Sequence, residues 1–99
     1  MLKHEITLRL NNLKHTLHAL KEEALDSITA EQLENALKSG FEVIEEYPDD
    51  PRGISCLVLC STADKPVHVV CAPHEDALII ITVYITDASK WTDNYKKRK

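Results

Sequence analysis

No stretch of this chain is apolar for long enough to cross a bilayer. The longest apolar block, Ala77 to Ile81, falls far short of the roughly twenty residues a spanning helix needs. The charged Lys3, His4 and Glu5 stand where a secretory signal requires an apolar run. A cytoplasmic protein with no membrane partner is the expectation. Cysteine is also sparse, and Cys56, Cys60 and Cys71 are an odd number set in strand-like segments, which argues against a disulfide framework and for buried free thiols. Positive charge is in the minority, with 12 Lys and Arg against 16 Asp and Glu and a net charge of −4. Non-specific capture of nucleic acid by overall charge is therefore excluded, and any such binding needs a local patch. Internal repeats, low-complexity tracts and linkers are absent too, so the 99 residues, 43% of them hydrophobic, form one domain over 1–99.

The charge is unevenly placed. Residues 1–50 hold 5 Lys or Arg and 11 Asp or Glu, whereas residues 51–99 hold 7 and 5. The basic cluster is Lys90, Lys96, Lys97, Arg98 and Lys99, which is either a solvated tail or a local phosphate-binding patch.

Apolar residues at Ile6, Leu10, Leu13, Leu17, Leu20 and Ala24 follow helical spacing, and they predict a helix over about 12–25 with that stripe as its core face. The first ten residues fit either a helix or a short strand. Thr29 and Gln32 make a capping box and Gly40 a C-terminal cap, which predicts a second helix over 30–39 with Leu33, Ala36 and Leu37 inward. Residues 41–47 read as a strand with acidic residues on an exposed edge. Pro48 to Gly53 is a loop. Strands follow at 54–61, 66–72 and 77–85, joined by connections short enough to force antiparallel hairpins. The expected fold is α+β, with two N-terminal helices packed on one face of a four-stranded antiparallel sheet.

Strict alternation in 77–85 sends Ala77, Ile79, Ile81, Val83 and Ile85 toward the helices. His68, Thr82 and Tyr84 then converge on the opposite face as a concave platform. A polar His and a Tyr set in core-like strands are where core-building and function compete. His68, with a side-chain pKa near neutrality, is the first candidate for acid–base chemistry. Tyr84 would supply a donor and Lys90 a cation, and His18 joins if its helix approaches the sheet. The competing account makes His68 and Tyr84 half-buried sheet residues with satisfied polar tips. Trp91 is either an anchor for the tail or a base-stacking surface. His68, Cys71 and His74 have ligand-like spacing, yet alternation puts His68 and Cys71 on opposite faces. His15 and His18 form at most half a site, so no metal or other cofactor is expected.

Particular residues resemble a widespread small bacterial family, domain-of-unknown-function family 4258, which looks related to RelE-like and MqsR-like toxins. They are His18-Ala19, the run Val43 to Asp50, Leu57-Val58-Leu59, Pro66 to Val70, Ile81 to Tyr84, and Lys90-Trp91 before a basic tail. The resemblance implies a RelE-like toxin fold and a metal-independent endoribonuclease acting on messenger RNA, with catalytic His68, Tyr84 and His18. It further implies RNA contacts from Lys90, Trp91 and Arg98, single-stranded RNA as substrate, and a zinc-finger or helix-turn-helix antitoxin as partner. One stretch departs from the pattern: Glu22-Glu23-Ala24-Leu25-Asp26-Ser27 is acidic where relatives carry arginines, and such side chains repel a phosphate backbone. That departure favours the alternative, a non-catalytic interaction domain.

Overall fold

The computed structural model describes residues 2–51, 53–62, 65–92 and 94–98. Lys99 of the basic tail, Arg52 of the loop after the first expected strand, and Ala63-Asp64 of one hairpin connection lie outside them. The elements run α1 (Leu2–Thr7), β1 (Leu13–His15), α2 (Leu17–Leu25), α3 (Ala30–Ser39), β2 (Glu42–Tyr47), β3 (Ser55–Thr62), β4 (Lys65–His74), β5 (Ala77–Ile85), β6 (Trp91–Thr92) and β7 (Lys97–Arg98).

Two helices on a four-stranded antiparallel sheet, the arrangement expected from the sequence and from the RelE-like resemblance, is not what forms. The described residues build a five-stranded mixed sheet in the order β1-β5-β4-β3-β2, a separate two-stranded sheet β6-β7, and three short helices. The strands from 42 to 85 and α3 stand close to where the sequence placed them. The helix expected over 12–25 does not hold as one piece. Thr16 caps α2, its hydroxyl accepting the Ala19 N–H at 3.1 Å, so the helix starts at Leu17. Leu13, Lys14 and His15 instead pair in parallel with Leu78, Ile79 and Ile80, filling part of the outer edge of β5. Helical spacing in this segment was the wrong period, because β5 offered a ladder.

The α3 boundaries follow their caps: both halves of the Thr29–Gln32 box are present, and Gly40 takes φ +138°. Leu33, Ala36 and Leu37 pack on Cys56, Val58, Cys60, Val67, Val69 and Cys71, and Ile6, Ala19 and Ile28 complete the core. β2 forms the far sheet edge, as its acidic residues suggested.

Alternation fails in the middle of β5. Val70 pairs with Thr82 but Cys71 pairs with Ile80, so a β-bulge leaves Ile81 without an opposite residue. Val83 stays on the helix side, while below the bulge Leu78 and Ile80 enter the core. Ile79 and Ile81, expected beneath the helices, line a cleft of about 220 Å³ with Thr16, Ala72 and His74.

α2 is oriented against its own hydrophobic pattern. Its leucines face solvent, with Leu17 68%, Leu20 48% and Leu25 84% exposed. Its acids turn inward. Glu22 accepts the Val83 N–H and Asp26 the Ile85 N–H, both at 3.0 Å, and Glu23 meets His15 Nδ1 at 2.6 Å. Two carboxylates four residues apart thus saturate the part of the β5 edge that the three-residue β1 leaves open.

Candidate functional site

Positions 68 and 84 face each other directly across β4 and β5, which fixes both side chains on the surface away from the helices. Tyr84 Oη lies 3.0 Å from His68 Nδ1. The other ring nitrogen, Nε2, lies 2.8 Å from the carbonyl oxygen of Tyr95. A carbonyl only accepts, so Nε2 carries hydrogen; in the neutral ring Nδ1 then accepts from the Tyr84 hydroxyl. His68 is 0% exposed. Burial holds its pKa below the ordinary imidazole value, partly offset by the bond to Tyr95. Burial likewise raises the Tyr84 hydroxyl above its usual range, with the charge of Arg98 acting against it and those of Glu45 and Glu22 with it.

The expected platform is roofed rather than open. Strands β6 and β7 pair Trp91 with Arg98 and Thr92 with Lys97, making a short strap across His68. Trp91 is buried, its ring 4.2 Å from that of His68 at 76°. Of the two roles the sequence leaves open for it, these contacts are those of an anchor for the tail. The strap's own ladder is two residue pairs long, and its turn carries two consecutive non-glycine residues at positive φ, Asn94 (56°) and Tyr95 (69°). Side chains hold it down instead. Arg98 donates from Nε and Nη2 to the Glu45 carboxylate at 2.9 and 3.0 Å, with its guanidinium 4.7 Å from the Trp91 ring centre, and Lys96 reaches Glu42 at 3.1 Å. The Arg98 bond lowers the Glu45 pKa. Tyr47 donates to the same carboxylate at 2.6 Å, and burial together with that bond pushes its pKa up to about 12.

The candidates named from sequence separate into two groups. His68, Tyr84, Trp91 and Arg98 form one connected cluster. His18 stands apart on α2, 67% exposed, with Nε2 3.3 Å from Glu22 Oε1. Glu22 links it to the cluster, since the same oxygen accepts the Val83 N–H beside Tyr84. Lys90 lies in the turn before the strap, where the Ser89 hydroxyl and N–H, and after them the N–H and charge of Lys90, depress the Asp87 carboxyl. Glu45, Tyr47, Glu22 and the Tyr95 carbonyl were not singled out from sequence. Glu45 and Tyr47 sit two apart on one strand, and that spacing was the available signal for a shared face.

Cys56 and Cys71 are directly paired across β3 and β4 with sulfurs 3.9 Å apart, and all three cysteines are buried and free. Burial pushes Cys60 up to about 12. Cys71 lies in the core and His68 on the opposite face, as alternation in β4 required. No group of three metal-ligating side chains occurs among the described residues, and His15 is engaged by Glu23. No helix among them is long and apolar enough to cross a membrane.

A β4–β5 face bearing a His–Tyr pair, flanked by a helix with an exposed histidine, extends over the segment in which the chain matches a family model. The match is to the domain of unknown function (DUF4258) over residues 15–85, and the chain belongs to that family. No curated protein and no solved structure matches it.

Proposed function

We propose that this chain is a toxin-like, metal-independent endoribonuclease of a bacterial toxin–antitoxin pair, with single-stranded RNA as substrate and a zinc-finger or helix-turn-helix antitoxin as its restraint. Kinship with RelE-like and MqsR-like toxins enters here as one of activity, since the expected two helices on a four-stranded antiparallel sheet do not form. The observation that carries the reading is the Tyr84–His68 pair at 3.0 Å, lying where the charges of both Glu22 and Arg98 reach the tyrosine.

His18, exposed and held by Glu22, takes the proton from a ribose 2′-hydroxyl as its oxygen attacks the adjacent phosphorus. The 5′-oxygen leaves with the proton of Tyr84, whose hydroxyl is held in place by Nδ1 of the neutral His68 ring. A cyclic phosphate forms, and one proton is gained at His18 as one is lost at Tyr84, both returned by exchange with water. Arg98 uses two of its N–H groups on Glu45 and keeps others for the charge developing on phosphorus. Enclosed as it is, His68 acts behind Tyr84 and not on the substrate.

Cleavage of single-stranded RNA in the presence of a chelator tests this. His18→Ala and Tyr84→Phe should each slow it by about 10²-fold or more, and the pH profile should be bell-shaped. RNA left intact from about pH 5 to 8, with no growth defect on induced expression, would replace this reading with a non-catalytic interaction domain. The outward leucines of α2 favour that second reading.

A further inference from the structure

Two of the three thiols meet. Cys56 and Cys71 are direct partners across β3 and β4, with sulfurs 3.9 Å apart and both side chains fully enclosed. Opposed residues of antiparallel strands hold their Cα atoms about 4.5–5.5 Å apart, inside the range of about 4.4–6.8 Å that a disulfide spans. The sulfurs therefore need only approach to about 2.0 Å, with no change of strand register. Cys60 is placed otherwise, since it faces Val67 and lies four residues along β3 from the pair, or about 13 Å. The next pair on the same face, Val58 and Val69, is plain hydrocarbon, so packing alone does not demand two facing thiols there. Nor does the His68–Tyr84 site use them. They lie on the helix side of the sheet, against Leu33, Ala36 and Leu37.

We propose that Cys56 and Cys71 are an oxidation site, a dithiol that a hydroperoxide converts reversibly into a disulfide joining β3 to β4. A small neutral oxidant is the class that fits, because neither sulfur is open to a bulky disulfide reagent. Enclosure makes the reaction wait on local opening of the core, so it is slow. Cys56 is the attacking sulfur. The hydrogen bond with Cys71 holds its thiol below the ordinary value against the effect of burial, while the same bond and burial push Cys71 well above it. The Cys56 sulfur bonds to one peroxide oxygen, which keeps its hydrogen, as the O–O bond breaks and the other oxygen departs with the Cys56 proton as water or alcohol. Sulfur loses two electrons to the peroxide and becomes a sulfenic acid. The Cys71 sulfur then bonds to that of Cys56, the S–O bond breaks, and the expelled hydroxide leaves as water with the Cys71 proton. The link joins strands that are already paired, so it keeps the fold and constrains the unfolded chain. None of this depends on RNA cleavage.

The test is to incubate the full chain with hydrogen peroxide and then unfold it for thiol counting. Three free thiols should fall to one, with two hydrogens lost and no oxygen gained, and dithiothreitol should restore all three. Chymotryptic mapping of wild type, with cuts at Leu57 and Leu59 separating Cys56 from Cys60, should find the link between Cys56 and Cys71. Cys60→Ala should still lose two thiols. Cys56→Ala and Cys71→Ala, shown to be folded by circular dichroism, should form no internal link. The oxidised protein should melt about 5–15 °C higher than the reduced one. Three persistent thiols, oxygen addition that dithiothreitol does not reverse, or a link through Cys60 would overturn the proposal. A lower melting temperature would do so as well, because the bond would then not fit the native register.

Discussion

A carboxylate oxygen of Glu22 accepts the backbone N–H of Val83 at 3.0 Å, and so performs for one position of β5 what a neighbouring strand would otherwise perform. Asp26 repeats the arrangement one helical turn later at Ile85. Replacing either acid by Ala leaves a part-buried N–H without an acceptor and should cost about 1–3 kcal/mol, measured by urea denaturation. Glu22→Gln keeps a carbonyl oxygen in place and should cost markedly less. Equal losses for Gln and Ala would mean that the charge, and not the acceptor, is what β5 requires.

Stability should fall as the pH drops below about 6.5, through the enclosed His68. Its pKa in the folded protein is lowered by burial, so between that value and the unfolded one the unfolded chain binds the additional proton. The contribution is complete above the unfolded pKa and is lost on acidification through the folded one. Thermal unfolding from pH 8 to 5 should show this slope in wild type and not in His68→Asn. A slope unchanged by that substitution would assign the acid sensitivity to other groups.

The Arg98–Glu45 contact is bidentate, but Arg98 is exposed and Glu45 only half-buried, so its coupling in a double-mutant cycle should be modest, about 0.5–1 kcal/mol. Its local effect should be larger than its effect on global stability, because the strap has only two ladder pairs of its own. Trp91 is the sole tryptophan, so Glu45→Ala should shift its emission to the red and raise its quenching by acrylamide while the main thermal transition stays nearly in place. Unchanged emission would show that packing on His68 alone keeps the strap closed.

Local signals in the sequence were reliable wherever the chain makes its own decision. Thr29, Gln32 and Gly40 placed α3, and turn residues placed the hairpins. The His68–Tyr84 pairing followed from strand alternation alone, because the two positions lie above the bulge and in step. Below it the same rule failed at Ile79 and Ile81, since one extra residue reverses the phase and no composition marks the spot. The N-terminal quarter failed for another reason. Leu13 to His15 form a strand only because β5, more than sixty residues later, has an empty edge, and the leucines of α2 point outward because its acids are needed inside. Acidic residues that looked like a barrier to phosphate proved to be backbone acceptors. The closed state of the site was equally hidden, since a two-residue strand has no periodicity to detect.

The contacts that tie the start of the chain to β5 and the turn before it bear on how the protein is made. Arg9 bonds the carbonyl of Glu75, Thr16 that of Ile81, Glu22 the N–H of Val83 and Asp26 that of Ile85, across 66, 65, 61 and 59 residues. A ribosome releases the donor and acceptor groups of residues 9–26 long before their partners exist. The first quarter must therefore wait, with its leucines and carboxylates unplaced, while β2 to β5 assemble as consecutive hairpins behind it. Synthesis runs from one end, but β5 has to be in place before β1 can dock.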